Sequence, residues 1–170
     1  MTPQSRRAFA AAILGSMLGL GPLAKAQFTG PETELRWRMT SVVTAAQPPR
    51  FERRGVVMLH SGEPGTARNT LTASAPPQDG RWSLNNDLTL RFEDASTLTL
   101  RYSLTVRTGA DGRVLPGEYA FQGEVTGGSG RYAGARGSLE AKAVLGLDRT
   151  QVGMLGDSFM EAVARVRQGP

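Results

Sequence analysis

Every second residue from position 97 to 107 is apolar: Leu98, Leu100, Tyr102, Leu104 and Val106 alternate with Thr97, Thr99, Arg101, Ser103, Thr105 and Arg107. Side chains of an extended strand point alternately to opposite faces, so a run this long specifies a strand with one buried and one solvated side. Residues 34–40 follow the same rule, with Leu35, Trp37 and Met39 opposite Glu34, Arg36, Arg38 and Thr40. Further strands are predicted at 53–60 through Val56, Val57 and Leu59, at 66–74, and at 82–84 followed by 87–92. Two more follow: 117–126, with Tyr119, Phe121, Gly123 and Val125 on one face, and 135–147, with Leu139, Ala141, Ala143 and Leu145 opposite Ser138, Glu140 and Lys142. Clusters of Gly and Pro separate these runs as turns. Seven or eight short strands in about 120 residues are the pattern of an all-β sandwich or closed barrel.

The tail reads differently. Met154, Leu155, Phe159, Ala162, Val163 and Val166 recur at helical spacing, Asp157 is placed to cap, and Arg165 and Arg167 stand where a helix C-terminus favours cations. The spacing predicts a short C-terminal helix over about 157–167, lying outside or across one mouth of the β-structure.

The N-terminus carries a targeting pattern. Arg6-Arg7, then Phe9 and an apolar stretch through Leu20, then Ala24-Lys25-Ala26, resemble a twin-arginine export signal cleaved after Ala26. The apolar run is shorter than the roughly 20 residues a bilayer requires and contains Gly15 and Gly19. The expectation is a periplasmic or secreted protein with no stable membrane insertion after cleavage, and a single domain over 27–170. Losing Arg6, Arg7 and Lys25 lowers the cation count from 20 to 17 against 15 acids, so net charge falls from +5 to +2. The remaining arginines are scattered, which argues against nucleic acid as a partner.

The chain has no Cys and one His. That excludes a disulfide framework, a thiolate metal site, a cysteine nucleophile and a multi-histidine metal site. No metal and no cofactor is expected.

Residues 117–137, Gly-Glu-Tyr-Ala-Phe-Gln-Gly-Glu-Val-Thr-Gly-Gly-Ser-Gly-Arg-Tyr-Ala-Gly-Ala-Arg-Gly, resemble the signature of the allene oxide cyclase and dirigent superfamily. Residues 125–134 follow the cyclase version and 134–137 the dirigent version. The resemblance implies an eight-stranded antiparallel barrel, commonly a homotrimer, whose lumen binds a small hydrophobic molecule and guides its cyclisation or coupling without a cofactor. Gly127, Gly128, Gly130, Gly134 and Gly137 are expected to be structural: they permit positive φ at the reversal or close strand approach at a barrel corner. A phosphate-cradling loop does not fit, because the glycine spacing is wrong and a strand follows.

The ligand-binding candidates are Trp37, Met39, Tyr102, Tyr119 and Phe121, all on apolar strand faces. Tyr102 and Tyr119 are also weak catalytic candidates, since a phenol in an apolar lumen can donate one hydrogen bond to a substrate oxygen. Arg136, at the Ala-Arg-Gly position that the resemblance associates with the pocket, is the third. Its alternation with Ser138, Glu140 and Lys142 points outward, unless a bulge at the glycines reverses the parity. The acid that the family uses near its first strand has no counterpart at Trp37 or Met39. Three functions remain open on this evidence: an isomerase or cyclase acting by confinement, a non-catalytic binding module, and a structural envelope protein with a side-chain-filled barrel.

Overall fold

The computed structural model describes residues 31–147 and 155–169. The expected signal segment, and Met154 of the predicted helix, lie outside them. Strands β1 (Glu32–Gln47), β2 (Arg50–Leu59), β3 (Pro64–Ala73), β4 (Arg81–Phe92), β5 (Thr97–Arg107), β6 (Gly117–Ser129), β7 (Arg136–Leu145) and β8 (Ser158–Arg167) form one closed antiparallel barrel in sequential order. The only helical element among the described residues is a single 3-10 turn, Gly130–Tyr132.

The predicted C-terminal helix is therefore a strand. Ser158, Met160, Ala162, Ala164 and Val166 are buried while Glu161, Arg165 and Arg167 are exposed, which is period two along the whole of β8. The apparent helical spacing came from Phe159 and Val163, which lie half-buried on the outer face. Closure selects the strand: β8 pairs with β1 from Glu32↔Arg167 to Ser41↔Ser158 and with β7 from Arg136↔Arg167 to Leu145↔Ser158. A helix there would leave both neighbours with unpaired backbone groups.

Residues 82–84 and 87–92, expected as two strands, are one strand, β4, paired without interruption to β5 from Arg81↔Arg107 to Arg91↔Thr97. The inward side chains fill the barrel with Phe51, Trp82, Leu84, Leu88, Leu90, Leu98, Leu100, Leu139 and Met160, among others. Phe51 and Trp82 meet edge to face at 5.3 Å, and the Trp82 indole donates to Ala75 O at 2.9 Å.

Arg131 clamps the end of the barrel where β1 begins and β8 ends. Its guanidinium lies 4.9 Å over the Phe92 ring and 5.0 Å over Tyr132, and it pairs with Glu63 and Asp94. Planar stacking with simultaneous carboxylate pairing suits arginine and not lysine.

Of the five glycines, Gly130 (φ +59°) and Gly134 (φ +67°) serve the reversal after β6. Gly128 and Gly137 lie within strands and are required by proximity. A Cβ at Gly137 would stand 1.8 Å from Arg165 O, and one at Gly128 2.3 Å from Thr97 O. Gly127 (φ +159°) sits at a bulge, where pairing with β5 slips between Thr99↔Gly127 and Leu100↔Val125.

A candidate lumen site built from six strands

Three cross-strand registers assemble a polar cluster inside the barrel. Arg53 on β2 faces Asn69 on β3, Asn86 on β4 faces Tyr102 on β5, and Ser41 on β1 faces Ser158 on β8. All six are buried, Arg53 at 3% exposure and Asn86 at 1%. Each shares parity with apolar inward neighbours, as Arg53 does with Phe51, Val57 and Leu59.

The hydrogen bonds run through the group. Arg53 donates from Nε to Ser41 Oγ at 3.0 Å and from one Nη to Ser41 O at 2.9 Å. Ser41 Oγ and Ser158 Oγ are 2.8 Å apart. Asn69 donates to the Tyr102 hydroxyl at 2.9 Å and to Asn86 Oδ1 at 3.3 Å, and Asn86 donates to Leu84 O at 3.1 Å. Asn69 Oδ1 is buried without a partner.

Burial pulls the Arg53 guanidinium down to about 10, with Tyr102 and Asp157 acting in the opposite sense. Burial pushes the Tyr102 phenol up to about 12 against the Asn69 hydrogen bond and the Arg53 charge. Near neutral pH the cluster thus holds a charged arginine and a neutral phenol. Because the folded Tyr102 value exceeds the unfolded one, near 10, the stability of the neutral phenol is complete below pH 10 and lost as pH rises through 12. Arg53 acts oppositely: its folded value lies below the ordinary guanidinium one, so the penalty for burying its charge is relieved above pH 10. Ultraviolet titration should show a phenol ionising near pH 12 that Tyr102→Phe removes, beside Tyr132, whose phenol burial also raises. Ionisation of every tyrosine near pH 10 would mean that Tyr102 is solvated.

Beside this cluster lies a cavity of about 30 Å3, lined by Met39, Leu71, Leu104, Phe121, Ala143 and Met160 as well as the polar residues. Leu155, 2% exposed, is the one cavity-lining residue that belongs to no strand. Tyr102 and Phe121 stack at 4.4 Å with 19° between their planes.

Met39, Tyr102 and Phe121 of the ligand-binding candidates border this cavity. Trp37 and Tyr119 do not. Tyr119 is buried, but its hydroxyl donates to Leu115 O at 2.8 Å and so secures the β5–β6 loop. Trp37 is buried with its Nε1 unpartnered among the described residues, and with Phe121 it lines the larger concavity described below. Arg136 is exposed on the outer face and donates to Ala135 O at 2.8 Å. The bulge at Gly127 does not reverse its parity, because β7 re-enters with Leu139 inward. A catalytic role for Arg136 inside the barrel has no geometric basis.

Arg53, Asn69 and Asn86 were missed from the sequence. Turn propensity made 85–87 look like a break between strands, although Leu84, Asn86, Leu88 and Leu90 share one parity. A larger concavity, about 1190 Å3, lies on the outer wall along Arg38, Met58, Gln122, Lys142 and Glu161. It is open, and its charges pair across strands, as Arg38 does with Glu161 at 2.9 Å and Lys142 with Glu118 at 3.5 Å. The interior cluster is the stronger candidate because its polar groups are desolvated and held on six strands.

No group of His, Cys, Asp and Glu that could hold a metal ion occurs among the described residues. The sequence matches no family model and no curated protein. The fold is similar to that of a solved pterocarpan synthase dirigent protein, with a TM-score of 0.51 and 19% identity over 97% of this chain and 98% of that one. Eight antiparallel strands closed in sequential order and aligned along nearly the full length of both chains give this protein the dirigent barrel fold.

Proposed function

We propose that the barrel binds a small amphipathic molecule, with its polar end at the Arg53 cluster and its apolar body against Met39, Leu104, Phe121 and Met160. The observation that carries this reading is Arg53 itself, an inward arginine with no carboxylate at ion-pair distance among the described residues. Burying an unpaired charge costs several kcal/mol, and a barrel selected only for packing would place an aliphatic residue there. Tyr102 and Arg53 keep their protons near neutral pH, so the cluster orients charge on a ligand; any cyclase or isomerase activity would come from confinement of a reactive chain. The export pattern at residues 5–26 supports a protein that meets its ligand outside the cytoplasm.

One observation favours a second reading, a side-chain-filled structural barrel. The enclosed space of about 30 Å3 is far below the few hundred Å3 of ordinary ligand pockets. Native mass spectrometry of the exported, mature protein tests the choice. A discrete mass of one small molecule per chain is expected. A bare chain, even after incubation with a lipid extract, would overturn the binding reading in favour of the filled barrel.

A further inference from the structure

We propose that the interior cluster is a carboxylate site, in which the planar anionic head of the ligand lies against Arg53 and Tyr102. This rests on the reading that the barrel binds a small molecule, and it names the chemistry that the molecule carries.

The hydrogen-bond inventory sets the sign of the missing group. A guanidinium has five N–H donors; Ser41 takes two of those on Arg53, and no hydrogen bond joins the rest to any described residue. The Tyr102 oxygen accepts from Asn69 Nδ2, while its own hydrogen has no acceptor among the described residues. Against these surplus donors stand two buried acceptors with no hydrogen-bond partner among the described residues, Asn69 Oδ1 and Asp157 Oδ1. An excess of buried donors around a positive charge calls for an acceptor that carries negative charge.

Charge balance points the same way. Ser41, Asn69, Asn86, Tyr102 and Ser158 are uncharged companions, and no buried acid occurs on the strand interiors. Asp157, half-buried at the start of β8, acts on Arg53 through space but lies beyond ion-pair distance. Its Oδ1 is unpartnered, so it is not spent as a counter-ion to another described residue.

Size and shape then choose among anions. The free space of about 30 Å3 is roughly the volume of one water molecule. Of the anionic heads, a flat two-oxygen one matches the guanidinium fork with two parallel hydrogen bonds and needs less of that space than a tetrahedral phosphate. The apolar walls, with Phe121 stacked on Tyr102, require that anything attached to the head be hydrocarbon.

Calorimetric titration of the mature protein with hexanoate, acetate and 1-hexanol tests the site, using wild type and Arg53→Met. Hexanoate is expected to bind, and Arg53→Met to weaken it roughly 10- to 100-fold, while 1-hexanol changes little. Acetate binding as tightly as hexanoate supports the site and assigns it to small free carboxylates; a strong preference for hexanoate assigns it to the end of a longer molecule. Equal binding of hexanoate and 1-hexanol, unaltered in Arg53→Met, overturns the carboxylate proposal and leaves a ligand-binding lumen. Binding of none of the three overturns both. Should circular dichroism show Arg53→Met unfolded, Tyr102→Phe substitutes for it: it keeps the stacked ring, removes one donor, and is expected to weaken hexanoate several-fold without affecting 1-hexanol.

Discussion

A chain ending at Asp157 is expected not to fold, whereas one ending at Arg167 should unfold cooperatively like the full protein. The difference is β8, the segment whose spacing predicts a short helix outside or across one mouth of the β-structure. Removing it takes away two ladders, exposes the edges of β1 and β7, and uncovers the interior that Met160, Ala162, Ala164 and Val166 shield. Full burial of Met160 and Val166 alone contributes about 1.5–3 kcal/mol each, and with the ladders the loss exceeds the roughly 5–15 kcal/mol that holds an ordinary domain together. Thermal melts followed by circular dichroism should show no transition for the shorter chain, with aggregation through the open edges. A sharp cooperative melt in that chain would mean that the seven remaining strands close without β8.

Gly137→Ala should be among the most damaging of single-methyl additions. The new Cβ would stand 1.8 Å from Arg165 O and 2.9 Å from Arg165 C, and both atoms are backbone of β8. Neither can rotate away, so β7 and β8 must separate at this point of their ladder. A loss of about 3 kcal/mol or more in urea unfolding is expected, at the upper end of the roughly 1–3 kcal/mol that steric insertions into packed interiors cost, because the clash is with backbone. Gly134→Ala supplies the contrast. Its φ of +67° strains an alanine, yet the nearest atom to its Cβ is 3.7 Å away, so about 1 kcal/mol is expected. Equal losses at the two positions would show that backbone angle governs both.

The strand run of 97–107 was legible in the sequence because side-chain parity is a local property and nothing interrupts it. The same holds for the inward placement of Trp37, Met39, Tyr119 and Phe121. What the sequence concealed was set by pairing between distant segments. β8 carries the half-buried outer residues Phe159 and Val163, whose spacing imitates a helix until β1 and β7 are known to flank it. Arg53, Asn69 and Asn86 were hidden by the usual expectation that polar residues face water. Only the registers Arg53↔Asn69 and Asn86↔Tyr102 bring them to one place and make their burial collective.

The order of the strands also has a consequence in time. Seven of the eight ladders join segments adjacent in the chain and can form as hairpins while the protein is being made. The eighth joins Glu32 to Arg167, 135 residues apart, and β8 is synthesised after the other seven strands. Loop-closure entropy grows only as the logarithm of length, so the wait costs more than the distance. Until β8 emerges from the ribosome, the open edge of β1 stands exposed, and protection of that edge falls to whatever holds the nascent chain.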